Sequence, residues 1–462
     1  MKRYVNFFLL FIIPMQFAFS QENEWDTPEP MRIGDTLVHG LIGSGETLLS
    51  NGIFMVADMI YGFSWAFPTV ASIRANFSSP WDWEDTDDFV VNHIGHPYHG
   101  SLYFNSGRVN GFSFYGSLFF SVLGSFTWET IAETNRASTN DFIATVAGSL
   151  STGEMLYRLF AEAYSAGIPL PLAFFINPVA GFHSLVTGWK PPKASGNLNC
   201  LQVYLGMGFA ETHYSVSVAQ EEVFSFRGPF ADIGVKVVYG SPFDQNSHIP
   251  FRQFELALSL GMNPGAYSNF RVISDGYLFS FSPIYTDKNS MSTGLSLHLD
   301  FACLGKFSLQ DSTINQYSDA LDWTVKYQHL FSTHTALQIK THTGLTFWGA
   351  SKYYSPDTEV DELNNYGFGF NSKNFFSLEN KRLGGLEFDV LLYALWTCPG
   401  TTVFSNGTVL WVFSELTYSY PVSEHIYIGI TRSSVGEQGS FSGFPDTRKR
   451  NNSTKLFVAW NL

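Results

Sequence analysis

Residues 294–301 read Gly-Leu-Ser-Leu-His-Leu-Asp-Phe, so that Leu295, Leu297, Leu299 and Phe301 alternate with Ser296, His298 and Asp300. In an extended strand a period of two puts the leucines on one face and the serine, histidine and aspartate on the other. The pattern recurs on both sides. Asp322, Thr324, Lys326 and Gln328 oppose Leu321, Trp323, Val325 and Tyr327, and Gln338, Lys340 and His342 oppose Leu337 and Ile339. Further upstream Ala257, Ser259 and Gly261 alternate with Leu256, Leu258 and Leu260. A soluble sandwich keeps its inner faces apolar, because they pack together. An apolar face opposite a charged one, on strand after strand of about ten residues, predicts a membrane barrel with lipid outside and a polar lumen.

The connections support this reading. Residues 332–333, 371–373 and 421–423 look like tight turns, and 351–363 and 433–452 look like long polar loops. Short turns at one end and long loops at the other are the habit of outer-membrane barrels, and residues 196–462 have room for about 12 antiparallel strands. Leu456, Val458, Trp460 and Leu462 make the last strand apolar on one face up to the terminus. Such a strand resembles the signal read by the barrel-insertion machinery, an expected partner during biogenesis. Arg448-Lys449-Arg450 is placed in a solvated outer loop, within reach of anionic headgroups.

The compartment follows from the first residues. Lys2 and Arg3 precede an apolar run from Phe7 to Ile13, and Ala18 and Ser20 are small residues at cleavage-site positions. This predicts a signal peptide over residues 1–20 and export to the outer membrane. Its removal changes the formal charge from −14 to −16, since it carries two cations and no acid. So acidic a chain is a poor ligand for nucleic acid. Cys200, Cys303 and Cys398 are odd in number and far apart, which fits neither a disulfide framework nor a metal finger.

Upstream of the barrel the period is helical. Residues 34–62 predict one or two short helices ending in a loop at 78–80, with Glu46 and Asp58 toward solvent. A helix is expected from Phe112 to Ala132, carrying Glu129 and Glu133 on one face. Ser138, Thr139, Asn140 and Asp141 form a helix-start signal for another, running to about Tyr164. The fold class is therefore α+β. A segment at 21–80 and a helical module at 81–192 precede the barrel at 196–462, the helices acting as plug or cap.

The module concentrates the chain's chemistry. His93, His96, His99, Glu129, Glu133, Asp141 and Glu154 fall within residues 81–158, in a chain only 14% charged. The motifs His96-Pro97-Tyr98-His99-Gly100, Arg108, Ser125, Trp128-Glu129, Glu133, Asn140-Asp141, Gly153-Glu154 and Tyr157-Arg158 occur in order over about 80 residues. In this the chain resembles a family of bacterial envelope proteins of unknown function. The resemblance implies an envelope location and a shared module, and no reaction.

Three chemistries fit these residues. His93, His96 and His99, with Glu84, Asp85, Asp87 and Asp88 upstream, suit a divalent metal, although Pro97 is expected to interrupt the helix that would align the rings. His96 or His99 beside Glu129, Glu133 or Asp141 suits proton transfer on a lipid or other envelope substrate. The third is structural: Arg108 and Arg158 neutralise Glu129, Glu133, Asp141 or Glu154 around Trp128 in a buried network. The leading expectation is a non-enzymatic protein without a cofactor, structural or a conduit for a small or lipidic ligand. Outer-membrane lipid is its expected surrounding, and the sequence specifies no oligomeric state.

Overall fold

A computed structural model of the chain describes residues 33–83, 87–193, 196–216, 222–241, 243, 246–263, 267–305, 312–353, 363–401 and 406–462. The expected signal peptide over residues 1–20, Glu84, Asp85 and residues 354–362 of the expected loop lie outside them. The chain forms two units, one of residues up to 87 with 91–197 and one of 88–90 with 198–462.

The second unit is a transmembrane barrel. Its strands are β1 (Leu198–Val216), β2 (Glu222–Tyr239), β3 (Phe254–Asn263), β4 (Tyr267–Tyr285), β5 (Asn289–Gly305), β6 (Ser312–Ser332), β7 (Thr335–Tyr353), β8 (Leu363–Asn380), β9 (Gly384–Thr397), β10 (Gly407–Pro421), β11 (Ile426–Phe441) and β12 (Thr447–Asn461). Each pairs antiparallel with the next, and β12 closes on β1 from Gln202↔Asn461 to Val216↔Thr447. Closure leaves no edge of unpaired amides, the condition for a sheet in hydrocarbon. Leu205, Met207 and Phe209 on β1, Leu258, Leu260 and Met262 on β3, and Leu410 and Val412 on β10 are exposed. On β5 the polar set Ser296, His298 and Asp300 is buried, but so are Leu297, Leu299 and Phe301. The expected alternation of exposed and buried residues is clear on β1 and β10.

The strands run from 10 residues in β3 to 21 in β6, longer than the sequence suggested. The missing length came from polar residues assigned to connections. Residues 371–373 are not a turn but the middle of β8, where Asn371 and Lys373 are buried. The expected loop at 433–452 is mostly β11 and β12, leaving 442–446 as the connection. Lys449 is not solvated: it points inward, 2.6 Å from Glu437, while Arg448 and Arg450 face out. A lumen-facing polar residue looks the same in sequence as a loop residue. The turns at 333–334 and 422–425 stand close to where they were expected.

The first unit contains α1 (Ile33–Tyr61), α2 (Val70–Ser78), α3 (His96–Val109), α4 (Phe114–Thr127), α5 (Thr139–Ser165), α6 (Leu170–Ala173) and α7 (Pro178–Thr187). The segment expected as one or two short helices is one helix of 29 residues. Glycine within a helix costs about 1 kcal/mol, too little to break one held by packing. At Gly43 the absent side chain is required, since a Cβ would sit 2.7 Å from the Phe120 ring. Ser138 caps α5 through the Asp141 amide, as its start signal predicted. The α3–α5 crossing rests on Gly100, where a Cβ would lie 2.2 Å from the Thr145 carbonyl oxygen.

Candidate functional site

Two π-turns place the polar residues of the helical unit. The first, Val91–Gly95, leads directly into α3. Pro97 has no N–H to donate, and its ring crowds the carbonyl four residues back. The widened turn just before it accommodates that defect, so the helix continues through Pro97 where an interruption was expected. The second, Trp128–Ala132, extends α4 and carries Glu129 inward.

The three histidines do not converge. His96 Nε2 lies 3.5 Å from an Asp87 carboxylate oxygen and 3.6 Å from an Asp141 oxygen, and its Nδ1 is 3.2 Å from the Thr145 hydroxyl. His99 belongs to a different set. Its Nε2 is 2.8 Å from the Tyr103 hydroxyl, which donates to Asn51. Its ring packs on Phe54 and, edge to face, on Trp128. His93 is fully buried. Among the described residues no group of three His, Cys, Asp or Glu is placed to hold a metal ion; Glu84 and Asp85, upstream of His93, His96 and His99, lie outside them. The cysteines are free thiols, Cys303 buried.

Glu129 is fully buried; one carboxylate oxygen accepts from the Ser138 amide at 2.7 Å and the other has no hydrogen-bond partner among the described residues. Burial, then the Glu133 and Asp141 carboxylates, push Glu129 well above the usual carboxylate range, against the opposing pull of His96 and the Ser138 amide. For His96 burial disfavours charge, but Asp141, Asp87 and Glu129 outweigh it and raise the pKa to about 10. Burial, with the charge on His96, lowers His99 to about 3. One imidazole is therefore cationic and its neighbour one turn on is neutral.

These shifts set a pH dependence with two limbs. The stability His96 contributes is complete below its unfolded pKa of 6.5 and is lost as pH rises through about 10. The contribution of His99 is complete above 6.5 and is lost as pH falls toward about 3. Protease resistance of the helical unit during heating is expected to fall off on both sides of neutrality. His96→Gln should flatten the alkaline limb and His99→Gln the acid one. An unchanged profile in either variant counts against the assignment.

The arginines resolve onto one acid. Arg108 Nε is 2.9 Å from one Glu154 oxygen and Arg158 Nε is 2.9 Å from the other, all three side chains being buried. Arg108 also donates to the Phe112 carbonyl at 2.9 Å and lies over the Tyr157 ring. Glu133 is buried as well. The sequence had left four acids open to these cations. It had also passed over the asparagines: Asn51 donates to the Gly124 carbonyl, and Asn177 donates to Asn105, which donates to the Gly153 carbonyl. Glu46, expected in solvent, pairs with His183 at 2.6 Å. The available signal was an amide or acid on the small-residue face of an otherwise apolar helix.

The barrel holds the second constellation. A cavity of about 280 Å³ lies in its interior, lined among others by Lys236, Arg271, Lys340, Asp389 and Glu415. Ion pairs cross it between strands that are not neighbours. Lys236 of β2 is 3.7 Å from Glu387 of β9, and Arg271 of β4 is 3.2 Å from Glu415 of β10. Lys340 meets Glu255 at 2.5 Å. Along β9 the inward residues then change from Glu387 and Asp389 to Leu391, Tyr393 and Leu395, and along β10 from Glu415 to Phe413, Trp411 and Val409. The apolar residues form one buried cluster with Tyr353, Val435 and Phe441. Between the two zones Lys373 reaches Asp300 at 2.6 Å and His298 at 2.7 Å. Charge lines the end with short turns, and an aromatic cluster fills the other.

A family model described as a domain of unknown function, DUF3943, matches residues 80–170. No curated protein matches the chain. Among solved structures the NanC porin is 11% identical over 55% of this chain and 100% of that one, with a TM-score of 0.27. The toluene transporter TodX of Pseudomonas putida is 10% identical over 57% of this chain and 89% of its own, with a TM-score of 0.23. The translocator domain of the autotransporter NalP from Neisseria meningitidis is 8% identical over 58% and 90%, also at 0.23. Within the stretch matched by the family model lie all the site residues anticipated from sequence, from His93 to Arg158.

Proposed function

We propose that the chain is an exported outer-membrane protein whose barrel admits a small polar solute, and whose helical module is a non-catalytic element governing passage. The carrying observation is the polar cavity crossed by the Arg271–Glu415 and Lys236–Glu387 pairs and followed by the aromatic cluster around Trp411. Charges on opposing walls orient a polar solute, and a layer of aromatic side chains blocks it until they move. The buried Arg108–Glu154–Arg158 set supports a structural part for the module, since buried ions that share a counter-charge hold one packing arrangement.

The test is conductance of the full chain in planar bilayers. Trp411→Ala with Phe413→Ala should raise it severalfold by opening the layer, and Arg271→Gln should shift ion selectivity toward cations by freeing Glu415. No conductance in any of these proteins would sink the conduit.

A second reading is acid–base chemistry on a lipid or other envelope substrate. It is favoured by one observation, a cationic His96 beside Asp141 with the buried carboxyl of Glu129, its pKa raised by burial, close by. Loss of turnover of an envelope lipid extract in His96→Gln, with protease resistance of the module unchanged near pH 7, would favour it.

A further inference from the structure

The helical unit is inverted relative to a soluble domain. Its central helix α3 is buried at every residue except Tyr98, yet it carries His96, His99, Ser101, Asn105, Ser106 and Arg108. Around it the neighbouring helices present small or polar residues inward. On α4 these are Ser117, Ser121, Gly124 and Ser125, and on α1 they are Thr47, Ser50 and Asn51. Outward they present large apolar residues. Leu37, Leu41, Leu48, Ile53, Val56 and Ile60 follow one stripe of α1, with Leu41 75% and Ile60 80% exposed. Tyr115 and Phe119 do so on α4, and Leu185, at 74%, and Val186 on α7. Among the exposed residues of α1 from Leu37 to Ile60 none is charged. Glu46 turns inward to His183.

We infer that the helical unit is itself embedded in lipid, with the outer faces of α1, α4 and α7 against acyl chains. Small residues at helix contacts and ionisable groups toward the bundle interior are the packing rule of membrane helices. A second copy of the chain would cover one side of the bundle. Here apolar faces occur on three helices that each pack against the polar α3 or its partners, and the chain's own barrel puts the protein in a bilayer. Among the described residues no helix is long and apolar enough to cross a membrane. The unit therefore lies within a leaflet, as amphipathic helices do. This inference stands whether or not the lumen passes a solute.

The experiment places p-benzoylphenylalanine at Leu41, Phe119 or Leu185 of the full chain in phosphatidylcholine vesicles. Leu410 on the outer barrel face and Glu424 in a turn serve as references, and irradiated products are weighed by mass spectrometry. All five sites are at the surface, and heat-modifiable migration of the barrel together with native protease resistance of the helical unit confirms folding in each. Lipid adducts at the three helical sites, in yields like that of Leu410, are expected. Chain-to-chain adducts would overturn the inference in favour of a protein interface. Yields as low as that of Glu424 would overturn it in favour of water.

Discussion

Glu154→Gln is expected to unfold the helical unit while leaving the barrel closed. The acid sits between Arg108 and Arg158 at 2.9 Å from each, and none of the three reaches solvent. A neutral amide leaves two buried guanidinium groups without a counter-charge, and breaking a buried ion set from one side costs about 3–5 kcal/mol. Whole domains are stable by only about 5–15 kcal/mol, so the loss is a large share of the unit's margin. Limited proteolysis should cut within α3 to α5 in the variant and not in the wild type. The barrel should keep its heat-modifiable migration, because its hydrogen-bond ladder closes on itself. Native protease resistance in Glu154→Gln would mean that the arginines have other support.

Lys373→Met is expected to be the most damaging single change inside the barrel. Lys373 lies 2.6 Å from Asp300 and 3.8 Å from Asp322, with all three side chains buried. Tyr393 and Asn371 donate to the same two carboxylates, but neither brings a positive charge. Removing the ammonium leaves two carboxylates facing each other in a dry layer, again at about 3–5 kcal/mol. The urea midpoint for unfolding, followed by tryptophan fluorescence, should drop accordingly. Adding Asp300→Asn should recover part of the loss, because coupled neighbours are not additive. If the double variant is no better than the single one, the interaction is not the cause.

Much of the barrel was legible because strand periodicity is local. The alternation at 294–301 needs no knowledge of any other strand to separate an outer face from an inner one. What it does not distinguish is a polar residue in a lumen from one in solvent. Asn371, Lys373 and Lys449 were assigned to connections for that reason, although each meets a partner on another strand: Asp322 and Asp300 beyond the neighbouring strand, and Glu437 directly opposite Lys449 on adjacent β11. The helical unit repeats the lesson. The Ser138 cap is a local signal and was read correctly, whereas the continuity of the helix through Pro97 depends on a π-turn that no residue type announces.

By itself the sequence determined the twelve-strand class of the barrel, the start of α5 and the set of residues that carry charge into the helical unit. These follow from periods of two and 3.6 and from short-range capping, which depend on neighbours in the chain. Only the tertiary structure decided which charge meets which. It put both arginines on Glu154, separated His96 from His99 by the partners each meets, and strung ion pairs across the lumen from β2 to β9 and from β4 to β10. Arg158 is one helical turn from Glu154, but Arg108–Glu154 and the lumen pairs join residues 46 to more than 140 positions apart, and no local pattern encodes those. They arise when packing removes water and each buried charge must be neutralised by whatever stands opposite.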